Sequence, residues 1–297
     1  MRIVISGASG LLGTALIPEL QAAGHEPVAL VRREPHANEV QWDPEQPLDP
    51  AKLAGCDAVV HLAGKNIAGL WTAQFKRELL ESRLRGTRTL ANAAAESFRR
   101  IGVPRVFVSA SGINYYGSRG DELLTEQSSP GAGFLAEITQ QWEAATAPAG
   151  DAGVRVVCLR IGVVLARDGG ALKPLLPPFR LGLGGRIGSG KQYWSWIALA
   201  DVIGAMRFAV ENDNLRGPVN LAGPSPVRNE EFVRALGRAL HRPTIFPLPE
   251  FAVRMLLGEM GDQLLLTSVR AAPKKLQEEG YLFRYVDLDG ALRAVLA

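Results

Sequence analysis

The chain has 297 residues, 47% hydrophobic and 21% charged, with 33 lysines and arginines against 30 aspartates and glutamates. These fractions exclude a disordered chain, and the length suits one large domain or two coupled ones that need no disulfides. A net charge of +3, with cations such as Arg99-Arg100 and Lys274-Lys275 only in pairs, excludes a basic nucleic-acid-binding stripe. Residues 3–6, 27–31, 58–62, 105–109 and 154–160 are short Val- and Ile-rich runs, predicted as strands buried on both faces. Between them, residues 11–23, 72–99 and 134–147 carry apolar residues at helical spacing. This alternation predicts an α/β fold, a Rossmann-type doubly wound parallel sheet with helices on both faces.

The last third changes character. Gly169-Gly170, Pro174, Pro177-Pro178 and the glycine-rich stretch 181–190 interrupt regular patterns, and further prolines punctuate short helices such as Asn229–Leu240. The expected organisation is a nucleotide-binding domain over 1–165, rejoined by 196–220. A smaller C-terminal α+β substrate lobe is expected from 166–195 and 221–297. Cys56 and Cys158 read as buried thiols of a reducing compartment, and no apolar run reaches membrane-spanning length. Met1-Arg2-Ile3-Val4-Ile5 runs straight into a glycine motif rather than a signal-peptide core, so a cytoplasmic location is expected.

Ser6-Gly7-Ala8-Ser9-Gly10-Leu11-Leu12-Gly13 joins the first strand to the first helix. Gly7 permits a tight turn, Gly10 lets backbone amides approach a pyrophosphate, and Gly13 lets helix pack on strand. The helix N-terminus then offers free donors to phosphate, so the loop predicts dinucleotide binding. At the end of the second strand, Arg32-Arg33 stands where an NAD enzyme places a carboxylate for the ribose hydroxyls. Guanidinium groups bind a 2′-phosphate, which favours NADP(H), although Glu34 follows at once.

The loop, His61-Leu62-Ala63-Gly64, and Ser109-Ala110-Ser111 followed by Tyr115-Tyr116-Gly117 resemble the extended short-chain dehydrogenase/reductases. Ser82-Arg83, Trp142-Glu143, Arg160–Leu165 and Gly188-Ser189-Gly190 extend the likeness to the atypical, epimerase-like branch of that superfamily. Pro247-Leu248-Pro249 and Leu257-Gly258-Glu259 look like that branch's own terminal domain. The resemblance implies cofactor contacts at Gly7, Ser9, Gly10, Leu11, Leu12, Gly13, Arg32, Arg33 and Asp43. It also implies them at Leu62, Ala63, Gly64, Glu78, Arg83 and Ser109.

Typical members use Ser, Tyr and Lys, the lysine lowering the tyrosine pKa so that the phenol works near neutral pH. Ser111 (or Ser109) stands where the serine belongs. Phe134 and Ile138 occupy the expected Tyr and Lys positions, so the usual proton relay is missing. Tyr116 is the substitute donor favoured here, with Tyr115, Glu137 and His61 as other candidates. No cluster has metal-ligand spacing and no G-x-S-x-G elbow is present.

Arg160, Arg180, Arg186 and Lys191 fall near the loops expected over the nicotinamide, suggesting either an anionic substrate or scattered solvent-facing cations. Trp194 and Trp196 line an apolar wall or belong to the core. The leading expectation is an NADP-dependent oxidoreductase or nucleotide-sugar-type epimerase acting on a small polar substrate, as monomer or homodimer. The alternative is an NADPH-binding protein without turnover, in a structural or redox-sensing role.

Overall fold

The computed structural model describes residues 1–297. In the first half, β1 (Arg2–Ser6), α1 (Leu11–Ala22), β2 (Glu26–Val31), β3 (Glu39–Gln41), β4 (Ala58–His61) and α2 (Ala73–Ile101) precede β5 (Val106–Gly112). The short β6 (Leu123–Leu124), α3 (Phe134–Ala144), α4 (Ala147–Asp151) and β7 (Arg155–Ile161) follow. Next come β8 (Val163–Ala166), β9 (Gly169–Gly170), α5 (Leu172–Arg180), β10 (Tyr193–Trp194), β11 (Trp196–Ala198), α6 (Leu199–Glu211) and β12 (Gly217–Leu221). The chain closes with β13 (Val227–Arg228), α7 (Asn229–Leu240), α8 (Glu250–Gly261), β14 (Arg270–Ala271), α9 (Lys274–Glu278) and α10 (Leu288–Leu296).

The central sheet has seven strands in the order β3-β2-β1-β4-β5-β7-β12, every neighbouring pair parallel. Alternate residues of each strand enter opposite layers. Ile3, Ile5, Val60 and Val108 pack beneath α1 and α6, while Val4, Val59 and Phe107 pack beneath α2 and α4. Both faces are therefore covered, which is why these strands read as continuous apolar runs. The chain leaves β1 towards β2 and β3, then returns to β4 on its other side. That reversal opens a crevice beyond the carboxyl ends of β1 and β4.

Two boundaries differ from the sequence reading. The strand expected over 105–109 continues to Gly112 because β7 pairs with it throughout, setting Ser111 opposite Arg160. The helix expected to end at 147 stops at Ala144, where the Thr146 hydroxyl donates to the Glu143 carbonyl and the chain turns into α4. Residues 172–180 form α5 despite three prolines. Pro174 sits in its first turn, where the missing N–H had no helical acceptor to lose.

A separate core holds the carboxyl-terminal part, where Trp194, Trp196 and Phe232 are buried with Leu236 and Leu292. Small sheets join it to the rest: β8 pairs with β11 and β9, β10 with β13, and β14 with β6. Both cysteines are buried and unpaired, and burial pushes the Cys56 thiol up to about 11 and the Cys158 thiol up to about 12. No helix is long and apolar enough to cross a membrane.

Candidate functional site

The loop after β1 forms the floor of the crevice. Gly7 has φ +72°, and a Cβ there would lie 2.7 Å from the Leu62 carbonyl carbon. The Gly10 amide closes the turn on the Gly7 carbonyl at 3.0 Å. A Cβ on Gly13 would fall 2.6 Å from Ala8 Cα, so glycine sets the approach of helix to loop. No side chain caps α1, and the amides of Leu11, Leu12 and Gly13 have no intramolecular acceptor. Ser9 and Gly10 are exposed at the tip of the turn. Free amides at a helix start, beside glycines that admit close approach, match a diphosphate.

The Ser6 hydroxyl ties β1 to β4. It accepts the amides of Leu62 and Ala63 at 3.2 and 3.3 Å and lies 2.6 Å from His61 Nδ1. With two donors already on the oxygen, its own proton goes to Nδ1, which leaves the ring proton on Nε2. That Nε2 has no partner, the residue is fully buried, and burial holds the imidazole down at about 3. His61 is thus a neutral strut, not a base.

The two arginines after β2 separate. Arg33 makes a bidentate ion pair with Glu39 at 2.6 and 2.7 Å. Arg32 is exposed, has no carboxylate partner, and borders a shallow hollow of about 490 Å³ with Trp42, Asp43 and Lys52. The Asp43 carboxylate accepts the Glu45 amide at 2.9 Å. On α2, Glu78 is held by Lys65 and by Gln74. Arg83 instead has only the carbonyls of Lys65 and Leu79, each at 3.1 Å, and its guanidinium lies over Trp142 and against Gly64. Burial lowers its pKa to about 10, and no carboxylate compensates the charge.

The serines and tyrosine at the end of β5 point away from solvent. Ser109 Oγ donates to the Ala110 carbonyl, and Ser111 Oγ donates to Glu143 at 2.6 Å. Glu143 also takes both ends of the Arg160 guanidinium at 2.8 Å each. Arg160 in turn donates to the Tyr116 hydroxyl at 3.0 Å, and that hydroxyl donates to Asn220 at 2.7 Å. Burial opposes the charge on Arg160, but the Glu143 hydrogen bonds and charge outweigh it and raise the pKa. Burial likewise raises the Tyr116 pKa despite the neighbouring cation.

Tyr116, the expected proton donor, is set in this network. Its side chain is fully buried, and its hydroxyl is held by Thr125, Asn220 and Arg160. Tyr115 is half-buried with the Arg160 guanidinium 3.4 Å above its ring, and Glu137 is exposed on α3. Phe134 packs edge-on against Trp71, and Ile138 is buried with Leu79 and Leu135. Neither side chain carries an ionisable group.

Beyond the crevice lies a cavity of about 810 Å³ between the ends of β5 and β7 and the carboxyl-terminal part. Leu11, where the glycine loop meets α1, borders it, so loop and cavity adjoin. Its far wall is Leu257, Met260, Leu264 and Leu265, and Asn114 is a half-buried amide within it. Sequence reasoning found neither this wall nor the role of Glu143. A signal for Glu143 existed, because a cation inside the apolar run 154–160 requires a buried carboxylate. The wall gave none, since isolated leucines read only as core.

A seven-stranded parallel sheet with a glycine loop at its switch point defines a dinucleotide-binding protein of the short-chain dehydrogenase/reductase kind. Residues 3–222 match the NAD dependent epimerase/dehydratase family, and residues 248–295 match a domain of unknown function, DUF1731. The chain belongs to that epimerase/dehydratase family. It is 45% identical to "Epimerase family protein Mb2239" of Mycobacterium bovis, over 98% of this chain and 96% of that one. It is 38% identical to the human "Epimerase family protein SDR39U1" over the full length of both. A crystal structure of human SDR39U1 (isoform2) with NADPH superposes at a TM-score of 0.89, with 35% identity and 99% of each chain covered. A nucleoside-diphosphate sugar epimerase from Corynebacterium glutamicum matches at 0.81 with 38% identity, covering all of this chain and 58% of that one.

Proposed function

We propose that this chain binds NADPH along the crevice and acts as an oxidoreductase or epimerase on a substrate held in the adjoining cavity. The residues fit the cofactor. Uncapped amides at the start of α1 suit the diphosphate, unpaired Arg32 suits a 2′-phosphate, and Arg83 lacks an anion beside Gly64. Ser6 and His61 hold the two sides of the crevice together. Ser9, Asp43, Leu62, Ala63 and Gly64 border the same path, while Arg33, Glu78 and Ser109 support it through contacts within the chain. The human relative crystallised with NADPH supports the choice of nucleotide.

One observation carries the enzymatic reading, namely the cavity of about 810 Å³ that adjoins the glycine loop. A protein that only stored a nucleotide would have no use for a walled chamber past its nicotinamide end. Bound there, NADPH supplies a hydride to a carbon presented by that chamber. The apolar walls exclude water, and the Asn114 amide offers a neutral hydrogen bond to a substrate oxygen. The two buried, unpaired thiols support a reducing compartment such as the cytoplasm.

A second reading, cofactor binding without turnover, is favoured by the hydrocarbon at Phe134 and Ile138. The test is calorimetric titration with NADPH and NADH, then a panel of carbonyl compounds with NADPH absorbance followed. Tight NADPH binding with oxidation by a panel member supports the enzyme. Tight binding with no exchange of the cofactor hydride, read by isotope transfer, leaves only the second reading.

A further inference from the structure

Resting on that cofactor placement, we infer that the substrate is a neutral, largely apolar carbonyl or hydroxyl compound, and neither a nucleoside-diphosphate sugar nor another anion. With Arg32 marking the 2′-phosphate end and the glycine loop the diphosphate, the rest of the nucleotide extends past β4 towards β5 and β7. The cavity begins there, with Ile113 after β5 and Ile161 at the end of β7 in its lining. The wall facing these residues comes from α8 and the segment that follows it, and it is mostly apolar: Leu257, Met260, Leu264 and Leu265, with Gln263 and Thr267 as its polar members.

A diphosphate or carboxylate needs cations or free amides aimed at it. The only cation in the lining is the exposed Lys173, and the side-chain amides there, Asn66, Asn114 and Gln263, are neutral. Arg160 is committed to Glu143 and Tyr116, and Arg180, Arg186 and Lys191 are exposed residues outside the lining. Arg228 and Arg270 stack on Tyr193 without entering the lining, Arg228 paired with Asp121 and Arg270 bonded to its carbonyl. At the start of α5, Pro174 has no amide and the Ala171 amide is bonded to the Val164 carbonyl at 3.0 Å, which leaves the Lys173 amide without an acceptor, at the exposed rim of the cavity. The only formal charges in the lining, Asp168 and Lys173, are exposed and opposite in sign. A phosphate placed inside would be desolvated with only neutral groups beside it, whereas each methylene placed there gains the ordinary hydrophobic transfer energy.

The experiment is calorimetry of the NADPH-loaded protein with straight-chain methyl ketones of increasing length. Each ketone is paired with the keto acid that carries a terminal carboxylate at the same length, and UDP-glucose is titrated alongside. The expected result is affinity rising about three- to fourfold per added methylene. The matching keto acids and UDP-glucose should bind at least about tenfold more weakly. Leu264→Glu should abolish the chain-length trend while NADPH affinity stays unchanged, and Met260→Gln should flatten it if the first variant misfolds. Tighter binding of UDP-glucose or of the keto acids overturns the inference, and so does a series in which no ketone binds. NADPH oxidation is read separately, so ketone binding without hydride exchange keeps the apolar character of the bound ligand and removes the enzymatic reading. Should NADPH itself fail to bind, the same ketone titration on the cofactor-free protein still decides the character of the cavity.

Discussion

At the phosphate end of the crevice, the groups offered to a ligand are backbone amides and glycines from one contiguous stretch, residues 6–13. At the substrate end they are side chains gathered from far apart, Ile113, Ile161, Leu257 and Leu264 among them. The first end depends on conformation, for which glycine at a positive φ is a local requirement that sequence displays directly. The second depends on tertiary packing, and no short pattern announces it. Beneath the second end, Ser111, Glu143, Arg160 and Tyr116 form a buried, hydrogen-bonded brace.

The largest effect is expected from breaking that brace. Glu143→Ala leaves Arg160 charged and desolvated, which should cost about 3–5 kcal/mol in urea unfolding. A loss below about 1 kcal/mol would show that the network is dispensable. At the other end, Gly7→Val forces a side chain into the Leu62 backbone. NADPH affinity should fall about 100-fold or more, near 2.7 kcal/mol, with the far-ultraviolet spectrum retained.

Third in size is an acid sensitivity. Buried His61 stays neutral to about pH 3, while in the unfolded chain it takes up a proton near its ordinary value of 6.5. Its folded pKa is lowered, so the unfolded state binds more protons between these values and stability falls as pH drops below 6.5. The loss attributable to this residue is about 2 kcal/mol between pH 7 and pH 5. His61→Gln should flatten that slope; an unchanged slope would remove His61 as its source. The smallest effect sharpens the comparison at the nucleotide end. Arg32→Asp should reduce the preference for NADPH over NADH by about tenfold. Arg33→Ala should change it by less than about threefold, because Glu39 already occupies that guanidinium.

The doubly wound sheet and the glycine loop were legible because their signals are local: Val- and Ile-rich runs, a 3.6-residue period and three glycines in order. The extension of β5 to Gly112 was not, since it depends on the partner strand rather than on residues 110–112 themselves. Tyr116 shows the same dependence. Its position after the strand suits a proton donor, but only the packed structure shows Arg160 and Asn220 on its hydroxyl. Arg32 and Arg33 were indistinguishable in sequence until Glu39, brought beside Arg33 by β3, separated them.

The far wall of the cavity has a consequence for protein engineering. Leu257, Met260, Leu264 and Leu265 fall within nine consecutive residues that contribute nothing to the glycine loop. Under the proposed function, selectivity is carried on a replaceable part and the nucleotide grip on a fixed one. Libraries confined to that short stretch can recast what the chamber admits while the nucleotide grip is inherited unchanged.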